Sequence, residues 1–212
     1  MTALRGAWRR WSMSPALVRL TRARITLQWR LAGKPVPAPN VVKQRTVIGY
    51  LRRHHLRTFV ETGTYTGEMV EAMRPYARRI ISIEVDPVLH AQAVQRFAGR
   101  SNITLLLGDS GRVLPDILAS LHEPALFWLD GHYIGEGSGR GDQETPILAE
   151  VTALAAHHVR GHVILIDDAR LFDGTSGYPA LDAFTQWVSK QRPHTHVSAE
   201  GDIIRCLFDA AM

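Results

Sequence analysis

A doubly wound α/β fold is predicted for this chain by three observations. From Asn40 onward, apolar runs of strand length alternate with helix-length segments. The runs are continuously apolar, as expected for strands covered on both faces. Most of them end on a carboxylate, the place where such a sheet presents its ligand-binding crevice.

The elements follow in order. "NVVKQRTVIGYLRRHH" reads as a helix with Asn40 as its N-cap, followed by the strand "RTFVET". "GEMVEAMRPYA" is helical, with Met69, Val70 and Met73 on one face, and "RIISIEV" is a strand. "DPVLHAQAVQRFAG" is punctuated as a helix by Asp86 as N-cap, Pro87 in the first turn and Gly99 past its end. "NITLLLGD" is the next strand. "SGRVLPDILASL" reads as a helix that Pro115 weakens unless it lies in the first turn. The strand "ALFWLDG", a helix over "TPILAEVTALAAHH" capped by Thr145, the strand "HVILID" and the helix "YPALDAFTQWVSK" come next. The chain closes on "HTHVSAE" and "DIIRCLF", separated only by Gly201 and Asp202, so these two form an antiparallel hairpin at one edge. The expectation is a mostly parallel seven-stranded sheet with an antiparallel C-terminal edge hairpin.

Length and composition set the outer bounds. A chain of 212 residues holds one good core and an appendage. No apolar run approaches the roughly 20 residues of a membrane-spanning helix. The single cysteine, Cys206, lies in the apolar run "IIRCLF" and reads as core; with no disulfide to form, a reducing, cytoplasmic setting is expected. The net charge of +5 is unevenly spread. Thirteen Lys and Arg precede Glu61, the first acidic residue, whereas the remaining twelve face all 20 Asp and Glu. A basic leader, residues 1–39, thus precedes an α/β body, residues 40–212, with the Pro-rich "GKPVPAPN" at the boundary. Within the leader, Leu17, Leu20 and Ile25 around Arg19, Arg22 and Arg24 predict an amphipathic helical extension. Several roles stay open for residues 1–34: packing on the body or on a second subunit in a homo-oligomer, a peripheral membrane contact, contact with nucleic acid or another acidic partner, or disorder.

The acids carry the chemistry. Glu61, Glu84, Asp109, Asp130, Asp167 and Asp168 each follow or terminate an apolar run. One such residue is an ordinary helix cap; a set of six is not explained by capping alone. "VETGTYTGEM" places Gly63 and Gly67 in the turn after the first body strand, where glycine permits a sharp turn and close approach of a ligand, although the full G-x-G-x-x-G spacing is absent. Glu84 ends the next strand, 23 residues after Glu61, where an acceptor-only carboxylate suits two ribose hydroxyls. Asp109 can accept an exocyclic amine, and Ser110 can cap the helix that follows.

In these residues the chain resembles the class I S-adenosylmethionine-dependent methyltransferases. "ETGTYTG" is similar to their first motif, "IEVD" to their acidic ribose loop and "GDS" to their adenine loop, over roughly Thr58 to Phe208. The resemblance implies a Rossmann-like fold and an S-adenosylmethionine site. It puts Glu61 and Gly63 near the methionine part, with Thr64, Tyr65 and Gly67 in the same turn, Glu84 on the ribose, and Asp109 and Ser110 at the adenine. An ion pair with a leader arginine is the other reading of Glu61.

"FWLDGHY" ends the fourth body strand on Asp130, and "ILIDDAR" ends the fifth on Asp167 and Asp168. Neighbouring strand ends lie about 5 Å apart, so the three carboxylates converge and repel unless a cation shares their charge. Hard oxygen donors in this number suit Mg²⁺ or a similar ion. Such a metal would lower the pKa of a substrate hydroxyl, and His132 is placed to take its proton. This resembles the metal-dependent O-methyltransferases of the macrocin type and the cephalosporin-hydroxylase-like group, from whose pattern the loop "IGEGSGRGDQE" departs. The expected activity is methylation of a small hydroxylated acceptor. Against the metal stands a structural role, in which Asp168 caps the next element and Asp167 pairs with Arg170 or another arginine. The histidine pairs His54-His55 and His157-His158 read as surface residues at helix ends. "GEGSGRGD", residues 135–142, reads as a lid or as a plain surface excursion. A competing function is an inactive nucleotide-binding module docked by its basic leader.

Overall fold

The computed structural model describes residues 14–131, 145–175 and 177–208. Its sheet has seven strands in the order β3-β2-β1-β4-β5-β7-β6. In chain order these are β1 (Thr58–Thr62), β2 (Arg79–Glu84), β3 (Ile103–Leu107), β4 (Ala125–Leu129), β5 (Val163–Ile166), β6 (His196–Glu200) and β7 (Ile203–Leu207). The first five are parallel; β7 runs antiparallel to β5, and β6 antiparallel to β7. The expected doubly wound sheet with its edge hairpin is therefore what forms. Gly201 and Asp202 turn the hairpin with φ of 57° and 66°, the paired positive values that match the twist of the flanking strands.

The helices are α1 (Pro15–Leu31), α2 (Asn40–Arg53), α3 (Glu68–Met73), α4 (Pro87–Arg96), α5 (Ser110–Ala119), α6 (Ile147–Ala156) and α7 (Leu181–Gln191). Strand alternation sends neighbouring residues to opposite faces. Val60, Ile81, Phe127, Ile164 and Ile204 pack under α5, α6 and α7. Phe59, Ile80, Trp128 and Leu165 pack under α2, α3 and α4. The inner strands β1, β4 and β5 are buried along their whole length, whereas β3 at the edge is only partly covered. Cys206 is fully buried, as its apolar surroundings predicted.

Several local expectations need correction. Pro39, not Asn40, is the N-cap of α2; the Asn40 amide instead donates to Glu68 Oε2 at 2.9 Å, tying α2 to the start of α3. Asp109, not Ser110, caps α5, accepting from the Gly111 N–H at 2.9 Å. Its carboxylate sits one residue before the helix, where the orphan N–H groups point. Pro115 lies inside α5, beyond its first turn, and the helix runs through it. His157 is buried, not on the surface: its Nδ1 lies 2.8 Å from Nε2 of the fully buried His162, whose Nδ1 accepts from the Ala125 N–H. Pro146, not Thr145, is the N-cap of α6, and the Thr145 hydroxyl accepts from the Ile147 N–H at 3.3 Å from one residue further out.

The leader does not stand apart. Thr26 of α1 is buried, Arg22 donates to Gln44 of α2, and Trp29 Nε1 donates to the Pro35 carbonyl at 2.8 Å. Among the described residues no helix is long and apolar enough to cross a membrane.

Phe127 is fully buried on the central strand β4, whereas Leu107 at the outer edge is 51% exposed. Urea denaturation should therefore show Phe127→Ala losing about 3–5 kcal/mol, with Leu107→Ala losing less than about 1 kcal/mol.

Candidate functional site

The ladder between strands continues past their ends and sets the site. The Asp130 N–H donates to the Thr62 carbonyl at 3.1 Å, and the Asp167 N–H to the Leu129 carbonyl at 3.0 Å. The carboxyl ends of β1, β4 and β5 are thus abreast at the point where the strand order reverses, between β1 and β4. A cleft of about 210 Å³ opens there, lined by Lys43 and Gln44 of α2, the turn from Gly63 to Thr66, Trp128 and Asp130.

The turn after β1 depends on its glycines. Gly63 has φ of 85°, and a Cβ there would meet the Asp130 carbonyl oxygen at 2.6 Å. Gly67 has φ of 75° and lies against the Phe97 ring. Tyr65, also at positive φ and 57% exposed, donates its N–H to Glu84 Oε2 at 2.7 Å. The Asp86 N–H donates to Glu84 Oε1 at 3.0 Å, so Glu84 is held by two backbone donors. Each oxygen keeps a second acceptor site. Thr64 contributes backbone to the cleft, but its hydroxyl is buried against Ser82.

Glu61 lies beneath that turn, 1% exposed. Ser82 donates to its Oε1 at 2.6 Å, while Oε2 is buried without a hydrogen-bond partner. Its partner is Ser82 and not a leader arginine. Burial, reinforced by Asp130 and Glu84 and opposed by the Ser82 hydroxyl, pushes its pKa up to about 8. On the other face, Glu150 of α6 is similarly enclosed; burial first, with Asp109, pushes its pKa up to about 7 against the pull of the Ser110 and Thr62 hydroxyls. Ser110 is therefore turned toward Glu150, and Asp109 spends an oxygen on its helix.

Asp130, Asp167 and Asp168 each offer an oxygen, all within 4.8 Å of one another. The sequence brings them together as expected, and the number and hardness of the donors suit a divalent cation. Two side chains already balance part of their charge. Lys43 is ion-paired with Asp167 and lies 3.5 Å from Asp168 Oδ1. Arg170 donates to Asp168 at 2.7 Å and also pairs with Asp202 of the hairpin turn. The expected Asp167–Arg170 pairing is thus exchanged: Arg170 takes Asp168, and a lysine takes Asp167. Asp168 makes no side-chain cap and sits at φ of 56°, a strained value for a residue other than glycine. Burial and the neighbouring Asp168 raise the pKa of Asp167, against the pull of Lys43. For Lys43, burial lowers the pKa, but Asp167, Asp168 and Asp130 together hold it above its ordinary value.

Lys43, Ser82, Glu150, Arg170 and Asp202 were not singled out as site residues from sequence. The Lys43–Asp167 pair spans 124 positions, and no motif spacing links them. His132 and residues 135–142 lie outside the described residues.

No protein-family model matches the chain, and no curated protein matches it. Its fold is widely shared among solved structures. An SAH-bound methyltransferase from Podospora anserina superposes with a TM-score of 0.58 at 16% identity, over 92% of this chain and 88% of that one. An O-methyltransferase from Bacillus cereus in complex with SAH gives 0.59 at 15%, over 89% and 90%. The O-methyltransferase TomG from Streptomyces achromogenes, involved in tomaymycin synthesis and in complex with SAM, gives 0.59 at 16%, over 89% of each. At these identities the likeness is one of fold: the chain has the Rossmann-like architecture of these methyltransferases.

Two outcomes follow. Between about pH 4.5 and about 8 the unfolded chain releases a proton that folded Glu61 keeps, so this residue makes stability fall as pH rises. Glu61→Gln removes that slope; its melting temperature should match wild type near pH 5 and exceed it near pH 9, and an equal difference at both would contradict the buried neutral acid. Gly63→Ala should cost roughly 2 kcal/mol or more in urea, and more than Gly99→Ala, which shares a positive φ but meets no atom within 4 Å.

Proposed function

We propose that this chain transfers a methyl group from S-adenosylmethionine to a hydroxyl oxygen of a small acceptor, assisted by a divalent cation held by Asp130, Asp167 and Asp168. The observation that carries the reading is the convergence of those three carboxylates within 4.8 Å at the strand ends, next to the Gly63 turn. The S-adenosyl ligands of similarly folded O-methyltransferases support the choice of donor.

The chain's own residues divide the work. Gly63 lets the donor approach the backbone of the turn, Thr64 and Tyr65 line the cleft beside it, Gly67 allows α3 to start against Phe97, and Glu61 supports the turn from beneath. Glu84, fixed by two backbone donors, retains acceptor sites for two ribose hydroxyls. Asp109 and Ser110 border the adenine end. Methyl transfer is a direct displacement: an oxygen–carbon bond forms as the sulfur–carbon bond breaks, so alignment dominates the rate. The hydroxyl proton leaves to His132, two residues beyond Asp130. A divalent cation at the three aspartates supplies a Lewis acid that lowers the pKa of the acceptor hydroxyl.

A second reading rests on Lys43. Its ammonium already pairs with Asp167, so it supplies positive charge at the same focus and transfer proceeds without a metal. The two readings separate in one set of assays with full-length protein. Calorimetry should show S-adenosylmethionine binding in wild type and in the Asp167→Asn/Asp168→Asn double variant alike. Under the first reading, a chelator should depress turnover of wild type at least about tenfold, and the double variant should lose its response to added Mg²⁺. Chelator-insensitive turnover that Lys43→Met abolishes selects the second. Absence of donor binding in wild type rejects both.

A further inference from the structure

We propose that the outer face of α1 is a docking surface for an anionic lipid bilayer. The inner face of this helix is spoken for by Thr26, which is buried, and by Arg22, which reaches Gln44 of α2. The opposite face carries Leu17, Leu20, Leu27 and Leu31, which are 47%, 67%, 57% and 79% exposed. Their spacings of three, seven and four residues put them on one stripe over the length of the helix. Side chains that repeat on one face over four turns form a continuous surface and not scattered exposed leucines.

Charge identifies the occupant. The helix has four arginines and no acid, and no acid precedes Glu61 anywhere in the chain. Arg24 lies within the stripe, and Arg19 and Arg30 flank it by about 100° of rotation. Lys34, just past the helix end, is also exposed. A second copy of α1 would set Arg24 against its own equivalent with no carboxylate on either helix to offset it, so self-pairing is disfavoured. A bilayer with anionic headgroups satisfies both features: leucines enter the acyl boundary while guanidinium groups stay among the phosphates on their long apolar stems.

The orientation has a consequence for the cleft. Gln44, which receives Arg22, also lines the cleft together with Lys43. Seating α1 on a membrane therefore brings the cleft lining within about one interhelical spacing, roughly 8–10 Å, of the seated helix. The docking is independent of methyl transfer and stands or falls separately from it.

The test is co-sedimentation of the full-length protein with phosphatidylcholine vesicles, with and without phosphatidylserine. Wild type should partition onto the phosphatidylserine vesicles at low salt and be released at high salt. Leu20→Asp/Leu27→Asp should weaken that partitioning at least about tenfold, and Arg19→Glu/Arg24→Glu should remove the preference for phosphatidylserine. Both pairs are exposed, and unchanged thermal melts will confirm that the fold is retained. Equal partitioning of wild type and the leucine variant overturns the proposal. So does a lack of vesicle binding, whether or not light scattering finds a dimer that the leucine variant dissociates.

Discussion

Three carboxylates held within 4.8 Å of one another dictate much of what surrounds them. Their positions are not adjustable, because the backbone ladder sets Asp130 beside Thr62 and Asp167 beside Leu129. Their mutual repulsion must be offset by cations brought from elsewhere in the chain. One comes from α2, where Lys43 reaches across the strand ends. The other is Arg170, whose backbone and guanidinium are both gripped by Asp202 in the turn between β6 and β7. Charge balance at one point thereby ties the first helix of the body, the loop after β5 and the C-terminal hairpin to a common geometry.

The same crevice separates two kinds of acid. Asp167 and Asp168 are paired with Lys43 and Arg170, and Glu84 accepts from two backbone N–H groups. Glu61 and Glu150, one on each face of the sheet, are enclosed where burial outweighs their hydroxyl neighbours, and their pKa values rise to about 8 and about 7. A neutral Glu61 adds no further negative charge beneath the aspartates, and it leaves Lys43 and Arg170 to act on the cleft acids alone.

The fold was legible because its signals are local. Apolar runs, helix caps and a two-residue turn at Gly201 and Asp202 are each written in a few adjacent residues, and strand alternation then fixes which side chains meet the helices. The convergence of Asp130, Asp167 and Asp168 was legible for a related reason: in a parallel sheet, a residue just past a strand end has a known place. Lys43 was not, since its role depends on how α2 crosses the sheet, and a lysine three residues into a basic helix looks like any solvated charge. His157 was misread because a polar residue at a helix end is usually exposed; here the His162 ring, buried at the start of β5, supplies its partner. Capping at Asn40 and Ser110 was displaced by one residue, the scale at which chain geometry, and not residue type, decides.

The two cations at the site differ in what they allow. Arg170 is anchored at its guanidinium by Asp168 and Asp202 and at its backbone N–H by Asp202, so moving it would break several interactions at once. Lys43 is a compact charge on a flexible stem, and its backbone belongs to a helix that packs independently through Val47 and Leu51. Its ammonium can leave Asp167 by rotating side-chain bonds without shifting α2. Asp168 is therefore the fixed member of the acidic group, whereas Asp167 is the member whose counter-charge can be exchanged. An incoming cation competes with a lysine and not with the fold, so the acids can stay in register whether or not that competition is won.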